Sequence, residues 1–263
     1  MSYEHIEFEI TEGVGLLRLN RPAALNSFTS DMHAEVRSVL TAVASDKSVR
    51  ALLLTGNGRG FCAGQDLNDR AVDPGESTPD LGESVEKNYN PLIRLLTTME
   101  KPVICAVNGV AAGAGANIAF ACDIVIAARS ASFIESFSKL GLIPDSGGTW
   151  TLPRLVGMAR AKGLAMLGPK ISAEQAQAWG MIWEVVDDEK LMETALGLAK
   201  QMATQPTIGF AFTKQAFALS ATNSLDEQLE VEKELMRAAG KTHDYQEGVK
   251  AFLAKRAPVY KGE

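Results

Sequence analysis

"KPVICAVNGVAAGAGANIAFACDIVIAA", Lys101 to Ala128, is the stretch on which the fold turns. It opens and closes on near-continuous apolar runs, "KPVICAVNG" (Lys101 to Gly109) and "CDIVIAA" (Cys122 to Ala128). Continuous rather than alternating apolarity suits parallel strands buried on both faces. Between the runs, Gly113, Ala114, Gly115 and Ala116 are small enough for a backbone to pack tightly or to approach a ligand. If "GAGANIAFA" opens a helix, its first N–H groups lack partners and its dipole is positive at that end. The likeness to G-x-G-x-x-G is weak, because the third glycine is missing.

Upstream, "GVGLLRLN" reads as a strand and "RALLLTG" (Arg50 to Gly56) as a third buried run. Between them lies "TSDMHAEVRSVLTAVASD", where Met32, Val36, Val39, Leu40 and Val43 follow helical spacing and Thr29, Ser30 or Asp31 can cap. Strand–helix–strand repetition predicts an α/β core with right-handed crossovers. The polar stretch "NDRAVDPGESTPDLGESVEKN" after Leu67 reads as a mobile surface loop leading into a helix from Leu81 to Met99. After "MIWEVVDD" the strand pattern stops. Helices are expected at Glu189 to Met202, Pro206 to Leu219, Ser224 to Ala239 and His243 to Ala254. The chain therefore divides into an α/β part, 1–187, and a helical part, 188–263.

With 263 residues, 46% hydrophobic and 22% charged, the chain is long enough for a sizeable core and is not expected to be disordered. A net charge of −6 argues against a nucleic-acid partner, whose phosphates demand a basic face. Cys62, Cys105 and Cys122 are odd in number and lack metal-ligand spacing, which predicts buried thiols in a reducing compartment and no metal. No signal peptide and no run of roughly 18 apolar residues is visible, so a cytoplasmic protein without a membrane partner is expected.

Two glycine-rich loops carry the candidate chemistry. "GNGRGFCAGQDL" (Gly56 to Leu67) follows one buried strand and "NGVAAGAGANIAF" follows another. The first reads equally as an ordinary strand-to-helix turn; together the two can aim two backbone N–H groups at one oxygen, an oxyanion hole. No G-x-x-x-x-G-K-[ST] occurs, which disfavours a phosphate-cradling loop. "GLIPDSGGTW" (Gly141 to Trp150) holds Asp145, which reads either as a helix cap or as an acid–base group walled by Leu140, Leu142, Ile143 and Trp150. Glu135 reads as structural, with catalysis as a minor alternative. His5, His33 and His243 neighbour no nucleophile and are expected at the surface. Arg21 and the cluster Lys255, Arg256 and Lys261 are candidate cations for a phosphate-bearing ligand, the alternative for the cluster being a solvated helix end.

"NRPAALNSF", "GRGFCAGQDL", the Lys101–Ala128 stretch, "KLGLIPDSGGTWTLPRLVG" and "KISAEQAQAWGMIWEVV" together resemble the crotonase (enoyl-CoA hydratase/isomerase) superfamily over nearly the whole chain. The resemblance implies a spiral of ββα units with a C-terminal helical trimerisation region, assembled as a trimer or dimer of trimers. It implies an acyl-CoA thioester substrate, coenzyme A being part of that substrate and no separate cofactor being needed. The oxyanion donors it implies are the N–H groups of Gln65 and Ala114, beside Gly64 and Gly113. Ala23, Leu25, Ala63, Asp66 and Leu67 would line the coenzyme A path, and Phe252 and Lys255 would approach it from the same or a neighbouring subunit. The two glutamates of the family's hydratases are replaced by Asn117 and Phe137, whereas Asp145 stands where hydratases carry a small residue. A lone carboxylate beside an oxyanion hole suits proton shuttling, hence isomerisation. "GRGFCAGQDLNDR", "SFSKLGLIPDSGGTW" and "AEQAQAWGMIWEVVDD" resemble the branch that converts 1,2-epoxyphenylacetyl-CoA to an oxepin, with relatives that shift a 3-enoyl to a 2-enoyl double bond. An enoyl-CoA hydratase and a non-catalytic acyl-CoA-binding subunit are the competing expectations.

Overall fold

The computed structural model describes residues 3–70 and 80–263. Ten strands occur among them: β1 (Ile6–Thr11), β2 (Val14–Leu19), β3 (Ala51–Gly56), β4 (Gly60–Cys62), β5 (Val103–Val107), β6 (Val110–Ala112), β7 (Ile124–Ala128), β8 (Ser132–Ile134), β9 (Lys170–Ser172) and β10 (Glu184–Val186). The four apolar runs become β2, β3, β5 and β7, and every residue of β3 and β5 is buried. They form the centre of a six-stranded sheet ordered β1-β2-β3-β5-β7-β10, parallel except for β1 against β2. A second sheet, ordered β4-β6-β8-β9, is built from three-residue strands.

The pairs β3/β4, β5/β6 and β7/β8 each send their first strand to the large sheet and their second to the small one, and helical chain follows each pair. This is a ββα repeat. The helices are α1 (Ser30–Ser45), α2 (Leu81–Ser84), α3 (Asn90–Thr98), α4 (Ala114–Phe120), α5 (Gly148–Leu167), α6 (Ala173–Ala178), α7 (Leu191–Ala203), α8 (Thr207–Ser220), α9 (Leu225–Ala239) and α10 (His243–Leu253).

The amphipathic spacing of α1 is realised: Met32, Val36, Val39, Leu40 and Val43 are all buried, and the Thr29 hydroxyl accepts from the Met32 amide at 3.3 Å. His33 departs from expectation. It is 2% exposed, its ring 4.5 Å from that of Phe28 and 4.4 Å from that of Tyr89. Both rings come from outside the helix, so helical periodicity gave no sign of them.

Most of the expected surface loop, residues 71–79, lies outside the described residues. The helix expected from Leu81 to Met99 forms as α2, a π turn over Val85–Tyr89, and α3. Pro91 explains the break, because it has no N–H and its ring clashes with the carbonyl four residues back. That carbonyl, on Lys87, accepts instead from Arg37 Nη1 at 2.6 Å.

The helices after β10 begin and end within about two residues of the expected limits. α7 buries Leu191, Ala195, Ala199 and Ala203 against the large sheet. α8 is pinned by Lys214, whose ammonium lies 2.8 Å from Asp123 Oδ2 and donates to the carbonyls of Leu96 and Lys101. Burial pushes the Asp123 carboxyl above its ordinary range, an effect Lys214 only partly offsets. Lys214→Met leaves that part-exposed carboxylate with the Val103 amide as its remaining donor, at 2.7 Å, and is expected to cost about 2 kcal/mol through loss of a charged hydrogen bond. A urea midpoint equal to that of the wild type would refute this. Among the described residues, no helix is long and apolar enough to cross a membrane.

Candidate active site

The ends of β4 and β6 bring the two glycine-rich loops together. Gly64, at φ +88°, has no side chain to obstruct this: a Cβ there would lie 2.9 Å from the Ala112 carbonyl and 3.4 Å from the Ala114 nitrogen. Gly115 is equally tight, since a Cβ would meet the Cys62 carbonyl at 2.2 Å. α4 can therefore seat its first turn directly against β4.

Gln65 bridges Phe28 in parallel register. The Phe28 amide donates to the Gly64 carbonyl at 2.7 Å and the Asp66 amide to the Phe28 carbonyl at 2.9 Å. The Gln65 N–H, lying between these bonds, faces away from Phe28. Ala114 is the first residue of α4, and its N–H has no carbonyl within the helix to reach. Neither amide donates to a backbone carbonyl among the described residues. Two adjacent, uncommitted donors can hold a developing oxyanion. The loop is braced from its side-chain face: Tyr89 Oη donates to Gln65 Oε1 at 3.0 Å, and Tyr89 itself packs on His33. Tyr89→Phe is expected to cost about 1 kcal/mol of stability through loss of one net hydrogen bond. A melting temperature unchanged by the substitution would show that this brace is idle.

Asp145 lies half-buried at the start of the turn before α5. Its carbonyl accepts from Asn117 Nδ2 at 3.0 Å and from the Gly148 amide at 2.9 Å, while Ser146 Oγ donates to Asp145 Oδ1 at 2.9 Å. Asp145 does not cap α5, and neither does Ser146. The N-cap is Gly147, at φ +77°, with no side-chain cap bond. Ser146 adopts φ +51°, a left-handed conformation that costs a non-glycine residue about 1 kcal/mol. The turn thus takes on strain at Ser146 while leaving the Asp145 carboxylate uninvolved in capping the helix.

The expected apolar wall does not form within one chain. Leu140, Leu142, Ile143 and Trp150 are exposed, Ile143 by 79%. The Trp150 ring is covered by the Arg154 guanidinium at 4.0 Å. Leu142, Ile143 and Pro144 instead border an open cleft of about 350 Å³ with Leu152, Met158 and Met166.

Asn117 and Phe137, which stand in place of acids, are both buried in the site. A Cβ on Gly113 would reach the Phe137 ring at 3.7 Å, and one on Gly148 would strike Asn117 Nδ2 at 2.4 Å. Glu135, given only a minor role by the sequence, is in the same cluster: it is 3% exposed and its Oε2 lies 3.5 Å from Asn117 Nδ2.

Ala63 and Leu25 are tied by an amide–carbonyl bond of 2.9 Å, with Leu67 and Ala23 exposed nearby in sequence. Arg21 ties its own segment to the Gly56–Leu67 loop, at 2.9 Å from Asp66 and donating to the Ser27 carbonyl. Burial raises the Asp66 carboxyl, but Arg21, the Asn68 amide and Ser27 together hold it below its ordinary range. Phe252 and Lys255 sit at the end of α10, exposed, and among the described residues no hydrogen bond or ion pair joins them to these loops. Of the expected site residues, the structure therefore gathers Gly64, Gln65, Gly113, Ala114, Asn117, Phe137 and Asp145.

Comparison with known proteins agrees with this arrangement. The enoyl-CoA hydratase/isomerase family matches residues 9–263. The chain is 61% identical over 260 residues to the 1,2-epoxyphenylacetyl-CoA isomerase of Escherichia coli K12, covering 99% of each. It is 38% identical over 247 residues to the 2,3-dehydroadipyl-CoA hydratase of the same organism, covering 94% of each. The solved enoyl-CoA hydratase of Bacillus anthracis superposes with a TM-score of 0.90 at 35% identity, covering 99% of this chain and all of that one. Paired ββα strands, two converging glycine loops and a family match over almost the whole length lead to one conclusion: this chain belongs to the enoyl-CoA hydratase/isomerase family.

Proposed function

We propose that the protein is an acyl-CoA isomerase that converts 1,2-epoxyphenylacetyl-CoA to its oxepin isomer in phenylacetate catabolism, and that it also moves 3-enoyl double bonds to the 2-position. The observation that carries this reading is the half-buried carboxylate of Asp145, whose backbone carbonyl accepts from Asn117 of α4, the helix that begins at Ala114, with Asn117 and Phe137 in place of hydratase acids.

For the 3-enoyl reaction, Asp145 takes a proton from the α carbon of the thioester. The electron pair moves onto the thioester oxygen, where the Gln65 and Ala114 N–H groups stabilise the enolate. Asp145 then returns the proton to the γ carbon and the double bond comes to rest at the 2-position. Nothing is gained or lost, so no cofactor beyond the coenzyme A of the substrate is required. Ala23, Leu25, Ala63 and Leu67 line the coenzyme A path, while Arg21 and Asp66 stiffen it. The protein acts in the cytoplasm as a trimer or dimer of trimers. The unpartnered apolar side chains of α9, Leu225, Leu229 and Met236, support assembly, and Phe252 and Lys255 approach the coenzyme A of the same or a neighbouring subunit.

The test is turnover of a 3-enoyl-CoA in deuterated water, followed by mass spectrometry, with the epoxide as second substrate. Double-bond migration with deuterium uptake, and consumption of the epoxide, are expected. Glu135 beside Asp145 supplies two carboxyls and is the observation favouring hydration. Crotonyl-CoA hydrated faster than the 3-enoyl ester is isomerised would establish that reading instead. Tight binding without turnover of any ester would leave only a binding subunit.

A further inference from the structure

Asn117 and Glu135 meet beneath the Asp145 turn, both almost wholly buried, at 1% and 3% exposure. Asn117 Nδ2 lies 3.5 Å from Glu135 Oε2 and 3.0 Å from the Asp145 carbonyl. The other oxygen of each side chain, Asn117 Oδ1 and Glu135 Oε1, is buried without a hydrogen-bond partner. Two orphaned acceptors at one contact are costly, because each loses its water and gains nothing. One proton resolves both. Protonated at Oε1, Glu135 donates to Asn117 Oδ1 while accepting from Nδ2 at Oε2, the two-bond ring that a carboxylic acid forms with a carboxamide.

The surroundings favour the neutral acid. Burial pushes the Glu135 carboxyl up to about 8, with the Asn117 amide opposing and the charge of Asp145 adding to it. From the adjoining elements, Lys139 and Lys170 are exposed, and no ion pair joins either to Glu135. α4 contributes no charged side chain.

We infer that Glu135 is a positioning residue carried as the neutral acid, paired with Asn117 to hold the Asp145 turn, and that its ionisation unlocks that turn. Once ionised, Glu135 turns an acceptor toward Asn117 Oδ1, and Asn117 Nδ2 is drawn away from the Asp145 carbonyl. The activity consequence rests on Asp145 being the proton shuttle; the stability consequence does not.

The test compares wild type with Glu135→Gln, which keeps both bonds of the ring but has no proton to lose, and with Glu135→Leu, which keeps neither. Wild-type kcat is expected to fall about tenfold per pH unit above a midpoint near 8. Glu135→Gln should lack that limb, and Glu135→Leu should have a lower kcat than Glu135→Gln at pH 7. Stability supplies a reading independent of activity. The folded carboxyl titrates above the unfolded one, so its contribution is complete below about pH 4.5 and is lost as pH rises to about 8. The melting temperature of wild type should therefore fall relative to Glu135→Gln across that window and level off above it. A flat difference overturns the proposal. So does an alkaline limb retained by Glu135→Gln when Asp145→Asn is inactive. If Asp145→Asn stays active while the melting difference moves as expected, the shuttle reading fails and the buried pair stands. Should Glu135→Gln not fold, infrared spectra of wild type must show a buried protonated carboxyl that titrates near pH 8; its absence also refutes the inference.

Discussion

Asp145→Asn is expected to lower kcat by about 10²- to 10⁴-fold, the range over which a positioned general base acts. The substitution is isosteric. An asparagine can still accept from Ser146 Oγ at Oδ1, and the backbone carbonyl that receives Asn117 Nδ2 and the Gly148 amide is untouched. The turn should therefore persist, with a melting temperature close to that of wild type. KM should change little, because the carboxylate acts on the reacting carbons and not on coenzyme A. Deuterium uptake from solvent should vanish along with turnover. Full isomerase activity in a folded Asp145→Asn variant would remove Asp145 from the mechanism and make Glu135 the next carboxyl to test.

Gly64→Ala is expected to lower kcat by about 10²- to 10³-fold, the size of effect that follows loss of one oxyanion donor. Two strains coincide at this residue. Its φ of +88° is a conformation side chains rarely adopt, and the new methyl would sit 2.9 Å from the Ala112 carbonyl. Because that methyl also lies 3.4 Å from the Ala114 nitrogen, relief of the clash must displace one of the two proposed donors. Gly157→Ala separates strain from chemistry. Gly157 has φ +77° and ψ 159°, backbone essentially restricted to glycine, but nothing within 4 Å, so its replacement should cost about 2 to 3 kcal/mol of stability and leave kcat alone. If the two variants lose activity equally, the loop carrying Gly64 is not the oxyanion loop.

The site was legible in the sequence to the extent that its parts are backbone or lie on a recognisable run. Gly64, Gln65, Gly113 and Ala114 follow directly on buried strands, and small residues at the end of a strand announce close approach. Asp145 stood out as a carboxylate between a proline and two glycines. Glu135 did not: "SASFIESFSKLG" offers no periodic pattern, and its burial is produced by α4 and the Asp145 turn closing over it. The small sheet was equally hidden, since strands of three residues are too short for either alternation or a continuous run to register. His33 was misread for the same reason as Glu135, its cover arriving from Phe28 and Tyr89.

By itself, the sequence determined the α/β core, the four central strands, the face of α1 that is buried, the C-terminal helices and the family. Each of these is written in local runs of apolar residues, and burial of such runs drives folding wherever they occur. Tertiary structure alone decided that Gly147 and not Asp145 caps α5, that Arg21 is committed to Asp66, that Leu142 and Ile143 border an open cleft rather than a closed wall, and that Glu135 lies against Asn117. The physical reason is common to all four. The state of a polar or exposed side chain depends on which distant segments supply its partners or remove its water, and that information is absent from its neighbours in the chain.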